Sequence, residues 1–193
     1  MNLVEPLSVA FYIIDIFTLL DIPYFIGGSF ASSLYGIPRT TQDIDIVADI
    51  DLRQTTPLIK LLKDRFYIEQ ETILDAVKRK SSFNIISLET MFKVDVFLMK
   101  DTLFSKQEMT RRRLELIISE VEHKVYFVSP EDIILEKLLW YKLGGEVSER
   151  QLRDISGILK IQANRLDIFY MEYWAKCLEI ENLLKKVIGY LVV

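Results

Sequence analysis

Apolar positions recur at helical spacing over residues 3–20, which predicts an opening helix with a core-facing side. Tyr24-Phe25-Ile26 then predicts a short strand running into Gly27-Gly28. Residues 29–35 read as a helix, closed by Gly36 with Pro38 beyond it. Apolar and polar positions alternate from Asp43 to Ala48, the period of a strand. Two helices follow, Thr55–Phe66 and Glu71–Arg79, and then two strands, Ser82–Ser87 and Met91–Leu98. A second pair of strands is predicted at Leu114–Ser119 and Val125–Val128, with His123 near the turn. After Val128 the character changes. Ser129-Pro130-Glu131-Asp132 has Ser as N-cap, Pro at the first helical position and Asp placed for a capping box, and the pattern stays helical to Val193. The expectation is an α/β part over residues 1–128 and a helical part over residues 129–193.

Half of the 193 residues are apolar and 27% are charged with both signs mixed, which predicts a folded globular chain and excludes a disordered one. A net charge of -4 argues against a surface that coats nucleic acid broadly. It leaves two local basic clusters, Lys78-Arg79-Lys80 and Arg111-Arg112-Arg113. The one cysteine, Cys177, cannot form an internal disulfide; its apolar helical setting suggests a buried thiol in a reducing compartment. The N-terminus has no basic stretch of the kind that opens a signal peptide, and the apolar run Val9–Leu20 is broken by Asp15 and too short to cross a bilayer. A cytoplasmic protein without a membrane partner is expected.

Against this background three carboxylates stand out. Side chains alternate across a strand, so Asp43 and Asp45 share one face while Ile44 and Ile46 share the other. In "FKVDVFLM" Asp95 sits mid-strand, on the face of Lys93 and Phe97. An edge strand with one solvated face would also accommodate Asp-x-Asp. Three strand carboxylates together fit a divalent cation, whose charge relieves their repulsion. Hard oxygen ligands select Mg²⁺ or Mn²⁺, and no Cys/His cluster offers a zinc site. His123 reads as a turn residue rather than a ligand or base. Upstream, strand, Gly27-Gly28 and helix form a turn that could bring a phosphate to a helix N-terminus, with the Ser29 hydroxyl added. A plain glycine turn is the other reading of that stretch.

The stretch "GGSFASSLYGIPRTTQDIDI" resembles the opening motif of the polymerase-beta-like nucleotidyltransferase superfamily: strand, Gly-Gly or Gly-Ser, helix, Asp-x-Asp. Its Arg39-Thr40-Thr41-Gln42-Asp43-Ile44-Asp45 segment looks most like the AbiEii-type nucleotidyltransferases, a group that includes toxins of toxin–antitoxin pairs. The resemblance covers about residues 20–160. It implies a nucleotidyltransferase-like mixed sheet flanked by helices. It also implies a lysine on a later helix and an aspartate on the helix after it, matched here by Lys137 and Asp154. Asp95 corresponds to the third carboxylate of the wider superfamily, which AbiEii-type proteins do not all use.

The residues themselves add to this. On a helix Lys137 is flanked by Ile133, Ile134, Trp140 and Tyr141, so it emerges from a packed face, either as a snorkelling lysine or as a cation held for function. Asp154 flanks a stripe of Leu152, Ile155, Ile158 and Leu159, with Arg150 one turn earlier as a simple salt-bridge partner.

The resemblance and the carboxylates together lead to a Mg²⁺-dependent transfer of a nucleotidyl group from an NTP such as ATP to an acceptor hydroxyl. Asp43, Asp45 and Asp95 are the expected metal ligands. Gly27, Gly28, Ser29, Arg39, Thr41 and Lys137 are the expected nucleotide contacts, and Asp154 completes the catalytic set. By resemblance the acceptor is an RNA 3′ end such as that of tRNA, a protein or a small molecule, with an antitoxin as a partner if the protein is a toxin. The alternative is a nucleotide-binding or regulatory protein on the same fold that does not turn nucleotide over.

Overall fold

A computed structural model describes residues 4–118 and 122–189. Residue 3, Ser119 and the connection after it lie outside the described residues. Helix α1 (Val4–Leu19) leads to strand β1 (Tyr24–Ile26), helix α2 (Gly28–Tyr35) and strand β2 (Asp43–Ala48), as the apolar pattern predicts. Helix α3 (Leu52–Leu62) starts three residues before the predicted Thr55 and ends before Phe66. Its cap explains the early start: the Asp51 carboxylate accepts from the Arg53 amide, and the Gln54 side chain accepts from the Asp51 amide at 2.8 Å. Phe66–Tyr67 forms a short strand, β3, rather than a helix end. Helix α4 (Gln70–Arg79), strand β4 (Ser82–Ser87) and strand β5 (Lys93–Leu98) follow. An unanticipated helix, α5 (Leu103–Arg111), is capped by the Thr102 hydroxyl. Strands β6 (Arg113–Ile118) and β7 (Glu122–Phe127) complete the sheet; His123 is a residue of β7, not of a turn, and its ring stacks on Phe11 at 4.0 Å.

The described strands form a seven-stranded mixed sheet in the order β3-β4-β5-β2-β1-β7-β6. β2 is therefore central, parallel to β5 and antiparallel to β1, which overturns the edge-strand reading of Asp-x-Asp. One face of β2 and β5 is closed by Ile44, Ile46, Val94 and Val96, each 1% exposed or less. The opposite face is half-open and carries Asp43, Asp45, Lys93 and Asp95.

Two compact units are present. The first comprises residues 1–27 and 41–127 and contains the whole sheet with α1, α3, α4 and α5. The second comprises residues 28–40 and 128–193, so α2 groups with the helices α6 (Pro130–Leu143), α7 (Glu149–Gln162), α8 (Ile168–Cys177) and α9 (Glu181–Gly189). No described helix is long and apolar enough to cross a membrane. α6 is anchored by its own start. The Ser129 Oγ accepts from the Asp132 amide and donates to Asp132 Oδ2 at 2.6 Å, and Asp132 Oδ1 accepts from the Tyr170 hydroxyl. Cys177 is exposed, contrary to expectation, because α8 buries the i, i+4 pair Met171 and Ala175 and residue 177 falls off that stripe.

Within the helical unit α2 meets α7 backbone to backbone. A Cβ on Gly36 would lie 2.8 Å from the Ile158 amide nitrogen and 2.9 Å from the Gly157 carbonyl carbon, and one on Gly157 would lie 3.1 Å from the Ile37 nitrogen. No flexible side chain is available to give way. Gly36→Ala is therefore expected to cost about 1–3 kcal/mol, read from urea unfolding midpoints. A loss below ~0.5 kcal/mol would show that the two helices separate freely.

Candidate functional site

The acidic group lies on the sheet. In the parallel pairing of β2 with β5, Asp45 is the register partner of Asp95 and Asp43 is the partner of Lys93. Neighbouring strands lie about 4.8 Å apart, so the open face carries a two-by-two patch of three carboxylates and one ammonium. The Lys93 Nζ donates to Asp95 Oδ2 at 2.6 Å. The Thr41 hydroxyl donates to Asp43 Oδ1 at 3.0 Å, so Thr41 serves the first carboxylate directly. Lys93 is raised above the ordinary lysine range, first by its hydrogen bond to Asp95; burial opposes this, and the charges of Asp95, Asp43 and Asp45 add to the rise. Strand alternation alone predicts Lys93 on the face of Asp95. Gly27, at the end of β1, donates its amide to the Asp45 carbonyl at 2.9 Å, which ties the glycine turn to the same strand.

Whether these residues suit a hard divalent cation can be tested on the patch itself. The donor set is all oxygen, and Asp95 Oδ1 is buried without a hydrogen-bond partner. Among the described residues no three His, Cys, Asp or Glu side chains already converge on one point. Asp95 is instead drawn to Lys93, and Asp43 to Thr41. The residues fit the ion by chemistry and register, with Asp95 held by Lys93 and Asp43 by Thr41.

The basic group lies in the helical unit. Gly28 opens α2 at φ +56°, a conformation that favours glycine, and Ser29 follows it, 7% exposed. The Ser29 Oγ accepts from Arg39 Nη2 at 2.5 Å and from Arg150 Nη2 at 3.0 Å, which leaves its own proton to donate. Arg39 grips Asp154 with two nitrogens, Nε to Oδ1 at 2.8 Å and Nη2 to Oδ2 at 3.0 Å. Lys137 reaches the same carboxylate, Nζ to Oδ2 at 2.9 Å, and also donates to Gln151 Oε1 at 3.0 Å. It is 5% exposed, so it is a buried, paired cation and not a snorkelling one. Arg150 bonds to Ser29, where the sequence suggested a salt bridge to Asp154.

Three cations and one carboxylate crowd together here. Burial pushes the Lys137 ammonium below its ordinary range; Asp154 opposes this, and the neighbouring charges of Arg39 and Arg150 add to it. For Asp154 burial is the largest influence and favours the neutral acid, yet the hydrogen bonds from Arg39 and Lys137 together outweigh it and hold the carboxyl below its ordinary value. One ionised aspartate thus serves as counter-ion to two cations, with a third on Ser29.

The sequence-selected residues therefore gather in two sets. Asp43, Asp45, Asp95 and Thr41 lie on the sheet unit with Gly27; Ser29, Arg39, Lys137 and Asp154 interlock in the helical unit, where Gly28 opens α2. Lys93 and Arg150 are additions. Lys93 was visible through strand alternation, whereas the Ser29–Arg150 contact spans 121 residues and left no local signal.

A carboxyl held below its ordinary value stabilises the fold above the unfolded-state pKa, and that contribution disappears as pH falls through the folded value. Asp154→Asn should cost about 3–5 kcal/mol at neutral pH, because it leaves two cations without their buried partner. It should also flatten the acid limb of the stability profile. Urea unfolding between pH 2 and pH 7 checks both; a mutant profile parallel to wild type would show that Asp154 is not the titrating hub.

No protein-family model matches the chain, and no curated protein matches it by sequence. Among solved structures the chain is similar to an antigenic nucleotidyltransferase-like protein from Paracoccidioides brasiliensis. That pair is 23% identical with a TM-score of 0.50, over 75% of this chain and 69% of the other. It is also similar to the antibiotic-resistance factor ANT(2'')-Ia. The solution structure of that protein gives 14% identity and a TM-score of 0.50 over 99% of this chain and 96% of the other. The crystal structure of its complex with adenylyl-2''-tobramycin gives 14% and 0.52 over 89% and 95%. At these identities the likeness is one of architecture. It reaches the nucleotidyltransferase-like fold and stops short of the AbiEii-type group: the chain has a nucleotidyltransferase-like fold.

Proposed function

We propose that the protein is a Mg²⁺-dependent nucleotidyltransferase that moves a nucleotidyl group from an NTP to an acceptor hydroxyl. The observation that carries this reading is the register of Asp45 beside Asp95, with Asp43 on the same open face of a central strand. A repelling carboxylate row in the middle of a sheet has a physical reason if it holds a cation. Asp43, Asp45 and Asp95 would hold Mg²⁺, or Mn²⁺ in its place, and the ion would supply charge neutralisation to the phosphates. Support for the reaction class comes from the fold likeness to ANT(2'')-Ia, which was crystallised with adenylyl-2''-tobramycin.

The chain's own residues then divide the work. Gly27 and Gly28 let the triphosphate approach the backbone, and Ser29 donates its hydroxyl proton to a phosphate oxygen. Arg39 and Lys137, with Arg150, meet its negative charge. Asp154 holds Arg39 and Lys137 in place, and Thr41 orients Asp43. Asp95 takes the proton of the acceptor hydroxyl as that oxygen bonds to the α-phosphorus, the Pα–O–Pβ bond breaks and pyrophosphate leaves. Acceptors of this kind include an RNA 3′ end, a protein hydroxyl and a small-molecule hydroxyl. An AbiEii-type toxin acting in the cytoplasm, paired with an antitoxin, is one setting for such an activity.

A second reading has one observation in its favour. The Lys93 ammonium already sits on Asp95, as in a protein that binds nucleotide without turning it over. Incubation with Mg²⁺, each α-labelled NTP, cellular RNA and an aminoglycoside panel separates the two readings. Covalent label transfer is expected; nucleotide binding without transfer to any acceptor would favour the second.

Asp43→Asn and Asp45→Asn are expected to stay folded, because their side chains lie on the open face and make no part of the closed one. Both should lower Mg²⁺-NTP affinity at least tenfold, about 1.4 kcal/mol, by isothermal titration. Wild-type affinity in both variants would remove the carboxylates from the site.

A further inference from the structure

We propose that Lys93 is a tethered counter-ion of the carboxylate patch, which a divalent cation must displace, so that this one side chain sets the metal affinity of the site and couples it to nucleotide. The inference rests on the reading of Asp43, Asp45 and Asp95 as metal ligands.

Lys93 opens β5 two residues before Asp95, so strand alternation puts both on one face. Register puts Lys93 directly beside Asp43, while Asp95 lies beside Asp45. The ammonium contacts Asp95 Oδ2 at 2.6 Å. Asp95 Oδ1 is left buried and unpaired, so a monovalent donor satisfies only part of the acceptor capacity that the patch offers. A divalent ion bound to that oxygen would lie within a few ångströms of the ammonium, and the two repel. One of them must leave. Lys93 can: its side chain is 42% exposed, against 13% for Asp95, so its flexible stem has solvent as an alternative home.

Two consequences follow. Metal alone binds weakly, because it must first break the Lys93–Asp95 pair. Metal with NTP binds better, because the phosphates offer the displaced ammonium a new anionic partner. Lys93 thus favours occupation of the site by metal and nucleotide together.

The test uses Mn²⁺, followed by electron paramagnetic resonance, with and without a non-hydrolysable NTP. Lys93→Met should tighten Mn²⁺ binding without nucleotide about tenfold, ~1.4 kcal/mol, and lose most of the enhancement that nucleotide gives wild type. Lys93→Arg keeps the charge and should keep weak binding. Asp95→Asn is the control for the site. If Lys93→Met stays within twofold of wild type, or binds more weakly, while Asp95→Asn loses affinity, the counter-ion role is overturned and the metal site stands. If Asp95→Asn and Asp43→Asn bind Mn²⁺ like wild type, the carboxylates are not ligands and both readings fall. Should Lys93→Met not fold, acetylation of Lys93 in wild type, followed by mass spectrometry, gives the same decision. Its rate should rise several-fold when millimolar Mg²⁺ releases the amine, and an unchanged rate overturns the proposal.

Discussion

The parallel pairing of β2 with β5 is the constraint on which the acidic patch depends. Its closed face stacks Ile44 beside Val94 and Ile46 beside Val96, all essentially without solvent contact. A slip of one residue would turn Asp43 and Asp45 onto that face and Ile44 and Ile46 out of it. Each buried aliphatic side chain gains about 1.5–3 kcal/mol, so the register is strongly fixed. The same register sets Asp45 beside Asp95 on the open face, where like charges on neighbouring strands repel. The apolar side of the two strands thus holds in place an arrangement that the polar side, taken alone, would oppose.

The helical unit uses the same logic with the opposite sign. Here the close approach is between backbones, Gly36 of the α2 end against Gly157 and Ile158 of α7. It brings the segment that carries Ser29 and Arg39 onto the helix that carries Arg150 and Asp154. Asp154 then holds Arg39 in a two-pronged grip and Lys137 by one further bond. Such a buried hub adds little net stability over an apolar one, but leaving it half-built is costly. Its value lies in fixing where the guanidinium and ammonium groups point.

Much of this was legible in the sequence, for identifiable reasons. Alternation located β2, β4 and β5 almost to the residue, and with them the shared face of Asp43 and Asp45 and that of Lys93 and Asp95; the pairing of β2 with β5 joins the two faces. The Ser129-Pro130 start located α6. Where the pattern is sparse the reading failed. α5 buries only Phe104, Glu108 and Met109, too few apolar positions to show helical periodicity. β3 is two residues long, below the length at which alternation can be recognised. The Asp51–Gln54 capping box was present in the sequence and would have moved the start of α3 to Leu52. Cys177 departs from expectation because an apolar helix need not be buried all round: α8 leaves Phe169 87% and Tyr173 62% exposed. Contacts set by tertiary packing, Arg39 and Lys137 on Asp154 or Arg150 on Ser29, have no local signature at all.

The two clusters are opposite in character. On the sheet, Asp43, Asp45 and Asp95 share a face with Lys93. In the helical unit Arg39 and Lys137 bond to Asp154, and Arg39 and Arg150 bond to Ser29. Neither arrangement is what folding alone would select, since each leaves like charges near one another in a partly desolvated setting. The chain passes from the first unit to the second between Gly27 and Gly28 and returns between Thr40 and Thr41. Ser29, Arg39 and Asp43 therefore lie within three residues of a crossing, so one short segment feeds both clusters. That economy is the physical content of the glycine-to-aspartate motif: a single strand–helix–strand passage supplies the hydroxyl and guanidinium of one cluster and then two carboxylates of the other.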